Sequence, residues 1–146
     1  MEIRKMVIED YSSVYELWMS CKGMGLNNID DSKKGIDIFL KRNPNTCFVA
    51  IEQEQIVGVI MSGHDGRRGY IYHTAVSPAQ RHRGIAKALV DAATKALYNL
   101  GIVKVALVVF DRNEIGNAFW KKQGFTVRDD LVYRNKSLTK IERIDT

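Results

Sequence analysis

The sequence predicts an α/β domain: one mixed, mostly antiparallel sheet of six to seven strands flanked by about four helices. Three observations predict it. Strand-forming runs separated by short polar turns, "CFVAIEQEQIVGVIMSG" and then "YIYHTAV", make an antiparallel meander. Two segments, one following Asp10 and one following Gly84, place their apolar residues at helical spacing. A nearly all-apolar run at 103–110 follows the second of these helices and reads as a central buried strand. A length of 146 residues fits a single domain, 1–146, with one core.

Each element has its own reason. Residues 1–7 alternate enough for a first strand. Asp10 is placed to cap a helix whose apolar positions are Val14, Leu17, Trp18 and Cys21. The glycine-rich polar stretch 21–35 reads as a loop. A short helix at about 36–41 ends at Asn43-Pro44, because the residue before a proline avoids helical backbone. Two strands then meet at a tight turn near 53–55, and "HDGRRG" turns the chain into a third strand, 70–76. In the long helix, Ile85, Leu89, Ala92, Ala93, Ala96, Leu97 and Leu100 form one stripe, while Lys87, Asp91 and Lys95 occupy another face. Gly101 stops it. A last helix ends at Gly124, and residues 125–138 predict a final hairpin turning at Asp129-Asp130.

Composition excludes several classes. No apolar run approaches the roughly 20 residues that span a bilayer, and the N-terminus lacks a signal-peptide core, which predicts a cytoplasmic protein without a membrane partner. Cys21 and Cys47 have no CxxC spacing, and with three histidines they assemble no metal site. The net charge of +5 suits a phosphate-bearing partner. That charge is spread along the chain, which argues against nucleic acid.

The chemistry concentrates in "VSPAQRHRGIAKALV". Basic residues crowd the start of a helix, where unsatisfied N–H groups and the dipole already favour an anion. Gly84 lacks a Cβ and admits a phosphate close to the backbone. No GKS or GKT follows, so this is not a Walker A loop. Read alone, the stretch is equally a basic surface loop.

Arg81, Gly84 and Ala86 match [Q/R]-x-x-G-x-[G/A], and "AVSP" precedes them. Asn113, Trp120, Gly124 and Phe125 match a second spacing. On these motifs the chain resembles the GNAT superfamily of acetyl-CoA-dependent N-acetyltransferases over nearly its whole length. The resemblance implies a sheet splayed between its fourth and fifth strands. It also implies that acetyl-CoA is the co-substrate, with no metal, and that a small-molecule or protein amine accepts the acetyl group. A homodimer is compatible with it. Residue by residue, amides around His82, Arg83, Gly84, Ile85, Ala86 and Lys87 would hold the pyrophosphate, beside Arg81. The edge at Thr74, Ala75 and Val76 would pair with the pantetheine arm, an N–H near Val76 would polarise the acetyl carbonyl, and Asn113, Phe119 and Trp120 would flank the arm.

The amine must lose a proton before it attacks. The family often places a carboxylate on or beside the fourth strand, and none lies in 70–77. His73 is the ordinary base there, as a catalytic group or as a hydrogen-bonded structural one; Asp65, Asp111 and Glu114 are alternatives, each also a turn or capping residue. Trp120 stands where the family's acidic Tyr is usual, and an indole is no proton source, which leaves Tyr72, Tyr133 or departure of an unprotonated thiolate. Arg67-Arg68 are solvated turn residues or an attractor for an acidic acceptor. Asp30 and Asp31 bind an amine or begin a helix. A degenerate CoA-binding sensor is the alternative function.

Overall fold

The computed structural model describes residues 1–145. The order is β1 (Glu2–Lys5), α1 (Tyr11–Ser20), α2 (Lys33–Arg42), β2 (Phe48–Glu52), β3 (Gln55–His64), β4 (Gly69–Val76), α3 (Ile85–Asn99), β5 (Val105–Ala106) and α4 (Glu114–Lys122). The five strands form one sheet in the order β1-β2-β3-β4-β5, antiparallel throughout except for the parallel pair β4–β5. No helix among the described residues is long and apolar enough to cross a membrane.

Helices cover both faces. Val14, Leu17 and Trp18 of α1 and Ile36 and Leu40 of α2 bury against Val49, Val59, Met61 and Ala75. On the other face, Ile85, Leu89, Val90 and Ala93 of α3 pack on Ala50, Ile60 and Ile71, with Phe119 and Trp120 of α4 at the margin. The predicted stripe of α3 holds at Ile85, Leu89, Ala93 and Leu97, whereas Leu100 is exposed past the helix end. Gly58 is needed here, since a Cβ on it would come within 3.0 Å of Ile85 and Leu89. The β2–β3 hairpin closes on two residues, Gln53 and Glu54, at φ 48° and 64°. That left-handed pair matches strand twist and is unusual without glycine.

Three local expectations are corrected. Asp10 makes no side-chain cap to α1; its carboxylate instead accepts from both terminal nitrogens of Arg4, each at 2.8 Å, and from Val7 N–H at 2.9 Å. The run 103–110 is not a central strand. Only Val105 and Ala106 pair, at the sheet edge, and Val103 and Val108 are exposed because no strand lies beyond them. The hairpin at 125–138 is absent, so the sheet has five strands rather than six to seven. Val127, Leu131, Val132 and Tyr133 are exposed there. Arg128 instead forks onto Asp130 at 2.8 and 2.9 Å, a bidentate pair two residues apart in the expected turn.

The Arg4–Asp10 pair joins β1 to the entry of α1. Burial pushes the Asp10 carboxyl up, but the hydrogen bonds from Arg4 and Val7 and the charge of Arg4 outweigh it, and the net shift is downward from 3.8. A carboxyl with a lowered folded pKa stabilises the fold above its unfolded value and loses that contribution as pH falls through the lowered one. Asp10→Asn is therefore expected to lower stability at pH 7 by about 1–3 kcal/mol. The gap to wild type closes below about pH 4, as measured by urea unfolding at pH 7 and pH 3.

Candidate active site

The site is built on an irregularity of β4. Pairing with β3 runs Ile60↔Thr74 and then Ser62↔Ile71, so Tyr72 and His73 together oppose the single residue Met61. Such a bulge turns two successive side chains to one side of the sheet. Simple alternation, with Tyr70, Tyr72 and Thr74 against Ile71, His73 and Ala75, is thereby broken. Ile71 packs beneath α3. Tyr72 lies edge-on to Phe39 of α2 at 5.5 Å and beside Tyr70 at 4.7 Å. His73 meets Trp18 of α1 edge-on at 5.0 Å. Ala75 then returns to the α1–α2 core.

His73 Nε2 lies 2.7 Å from Asp31 Oδ1. Asp31 is buried at 4% exposure, in the loop between α1 and α2. Its other oxygen accepts from Asn27 N–H at 2.8 Å, and its backbone carbonyl accepts from the Tyr11 hydroxyl at 2.7 Å. Gly35 of α2 lies against this loop, where a Cβ would come within 2.4 Å of the carbonyls of Ile29 and Asp30. The chain's end clasps it too: Asp145 accepts from Met24 and Leu26 N–H at 3.0 and 2.8 Å. A carboxylate therefore lies beside the strand, carried by this loop. No spacing signal reaches across the 42 residues that separate the two side chains.

Tyr72 is half-exposed. Burial of its phenol, then the charges of Tyr133 and Asp30, hold it above the ordinary value of 10.0. Asp65 accepts from Arg67 and Arg68 N–H at 2.8 Å each in an exposed turn, so it acts as a turn residue, with Arg67 and Arg68 solvated around it. Asp111 and Glu114 are exposed. Burial pushes the Cys47 thiol up to about 12, which removes it as a nucleophile.

Beyond Tyr70, β4 has no partner in β5, so Thr74, Ala75 and Val76 lie along an open edge. The Val76 carbonyl accepts from the Cys21 thiol at 3.6 Å, and Arg81 reaches the same sulfur at 3.8 Å. A short 3₁₀ turn, Pro78–Gln80, leads to the helix start. His82 and Gly84 both take left-handed backbone, at φ 65° and 79°. Left-handed residues in a turn before a helix gather backbone amides into an anion-binding concavity. A Cβ at Gly84 would touch nothing within 4 Å, so its backbone angle and not crowding requires glycine.

The first helical hydrogen bond of α3 runs from Ala88 N–H to Gly84 at 3.0 Å, and no side chain caps the helix. The amides of Ile85, Ala86 and Lys87 precede that bond and have no intrahelical partner. The basic side chains are mostly engaged elsewhere. Arg83 pairs with Glu52 at 2.9 Å and also meets Gln80, and Lys87 pairs with Asp91 at 2.6 Å. An anion here would therefore be held by backbone more than by side-chain charge.

Asn113 caps α4, its side-chain oxygen accepting from Gly116 N–H at 2.9 Å. Gly124 and Phe125 end the same helix: Gly124 N–H donates to Lys121 and Phe125 N–H to Trp120, both at 3.0 Å, with Gly124 at φ 93°. This is a Schellman stop, and its hydrophobic contact is Trp120 against Phe125 at 5.2 Å. Phe119 and Trp120 share the α3-side cluster with Val76 and Ile85, which brings both motifs to one apolar surface.

A family model described as Acetyltransferase (GNAT) family matches residues 11–125. An acetyltransferase of Sodalis glossinidius is 33% identical over 138 residues, covering 94% of this chain and 96% of that one. One from Photorhabdus laumondii is 38% identical over 114 residues, covering 78% of each. Among solved structures, the PaiA N-acetyltransferase of Thermoplasma acidophilum in complex with coenzyme A superposes with a TM-score of 0.77. It is 23% identical, with 88% of this chain and 91% of that chain covered.

Proposed function

The chain belongs to the GNAT acetyltransferase family, as an N-acetyltransferase, and from that premise we propose that it transfers an acetyl group from acetyl-CoA to a primary amine by direct attack in a ternary complex. The observation that carries this reading is the pairing of an open β4 edge with the uncapped, glycine-led start of α3. Amides from Gly84 to Lys87 bind the pyrophosphate, aided by the helix dipole. The Thr74–Val76 edge takes the pantetheine arm as an added strand. A backbone N–H near Val76 polarises the thioester carbonyl. Phe119 and Trp120 wall the arm from the other side.

The chemistry needs little beyond alignment and proton removal. The amine nitrogen bonds to the carbonyl carbon, the carbon–sulfur bond breaks, and CoA leaves as its thiolate. The amine proton passes to His73, which the bulge turns toward α1 and α2 while the strand edge beside it stays free for the donor. Tyr72, edge-on to Phe39, walls the acceptor side and stays protonated as a hydrogen-bond donor. Trp120 packs and donates no proton, in keeping with its place in the helix stop.

Two outcomes test the assignment. Gly84→Glu, followed by calorimetric titration with CoA, is expected to lose affinity by about 100-fold, equivalent to about 2.8 kcal/mol. Gly84→Asn, which tolerates left-handed backbone, is expected to stay within a few-fold; wild-type affinity in a folded Gly84→Glu variant contradicts the pyrophosphate site. Trp120→Phe is expected to keep turnover within a few-fold, measured as free thiol released with an amine panel. Collapse of turnover at unchanged CoA affinity would make the indole N–H part of the chemistry. Tight CoA binding by wild type with no turnover on any amine would favour a sensor.

A further inference from the structure

We infer that Asp31 is a positioning residue that fixes the tautomer of His73, making the loop between α1 and α2 a functional part of the base. The inference rests on the proposed acetyl transfer, since it assigns a partner to the proton acceptor of that reaction. Its physical basis is the direction of one hydrogen bond. A carboxylate only accepts, so the 2.7 Å contact from Asp31 Oδ1 requires the hydrogen on His73 Nε2. In the neutral imidazole the lone pair then resides on Nδ1. Trp18 Nε1 is the one buried side-chain polar atom without a partner among the described residues. Among the described residues His73 Nδ1 makes no hydrogen bond, and the side chain keeps 16% of its surface exposed, so this nitrogen is free to take a proton.

Two features set this contact apart from an incidental ion pair. Asp31 has nowhere else to turn. Its second oxygen is held by Asn27 N–H, its carbonyl by the Tyr11 hydroxyl, and the loop around it by Asn27, whose side chain accepts from Ile29 and Asp30 N–H. The imidazole is equally constrained, with its ring edge-on to Trp18 and its backbone in the β4 bulge. An orienting carboxylate of this kind holds a histidine in the tautomer and rotamer that its chemistry requires.

Asp31→Asn separates this role from simple packing. The asparagine oxygen still accepts from Asn27 N–H, so the loop keeps its shape. Its amide now donates to Nε2, which moves the imidazole hydrogen to Nδ1 and removes the lone pair facing solvent.

The experiment combines long-range ¹H–¹⁵N correlation spectra of the imidazoles with steady-state kinetics of the full chain. The His73 signal is identified by its loss in His73→Gln. Wild type is expected to show the Nε2–H tautomer and Asp31→Asn the Nδ1–H tautomer. Asp31→Asn is expected to lower kcat by about 100-fold, the low end of what a general base contributes, with KM for acetyl-CoA unchanged within about three-fold. In the His73→Gln background the same substitution should cost nothing further, because two residues acting as one unit are not additive. An Nδ1–H tautomer in wild type overturns the inference. So does an Asp31→Asn enzyme with near-normal kcat, or an equal loss with and without His73. Failure of wild type to acetylate any amine overturns the transfer reading and Asp31's part in it, while the imidazole spectra report separately whether the pair is oriented as described.

Discussion

Two residues of β4 stand opposite one residue of β3, and the rest of the site depends on that mismatch. Without the bulge, His73 would share a face with Ile71 beneath α3, and strict alternation would bury it in an apolar cluster with no charged partner. With it, both Tyr72 and His73 face the α1–α2 layer, where Trp18, Phe39 and Asp31 await them. The bulge also fits the early end of β5 pairing. β5 follows β4 only at Gly69 and Tyr70, and the irregular section begins two residues later, at Tyr72. One strand thus carries a free backbone edge and, beside it, a polar side chain facing the other layer.

A buried pair of this kind demands a rigid setting. Leaving a buried hydrogen-bonding group without its partner costs about 1–3 kcal/mol, so the loop that carries Asp31 must not drift. The fold secures it from three directions. Tyr11 holds it from α1, Gly35 brings α2 into close contact, and Asp145 with Glu142 and Ile144 ties the chain's end across it. The start of α3, the proposed pyrophosphate site, is built on the opposite principle. Backbone amides and a helix dipole are fixed by the fold itself, and the nearby Arg83 and Lys87 are neutralised by Glu52 and Asp91.

Much of this was legible in the residues. The hairpin 48–64, the stripe of α1 and the core of α3 followed from periodicity, because their apolar positions are buried where the pattern says. Gly84 was legible as a backbone position, and its φ of 79° gives the reason. The helix end at Gly124 was legible as well, and its hydrogen bonds add the contact of Trp120 with Phe125 that the sequence did not show. What stayed hidden was long-range or irregular. Apolar content at 103–110 did not reveal that the sheet ends there, since burial of a strand depends on neighbours that composition does not specify. The valines and leucines of 125–138 suggested a hairpin that the structure does not form. Nothing local marks one extra residue in β4, and nothing links Asp31 to His73 before the chain folds.

The central claim is that a nucleotide-bearing thiol cofactor lies along the β4 edge with its pyrophosphate at the start of α3. Amide ¹H–¹⁵N spectra recorded during a titration with CoA test it most directly. Saturable shifts concentrated at residues 74–76 and 84–87, with Ile102 to Lys104 at the far end of α3 unmoved, are the predicted result. Shifts that saturate elsewhere and leave the α3 start unperturbed would contradict the account.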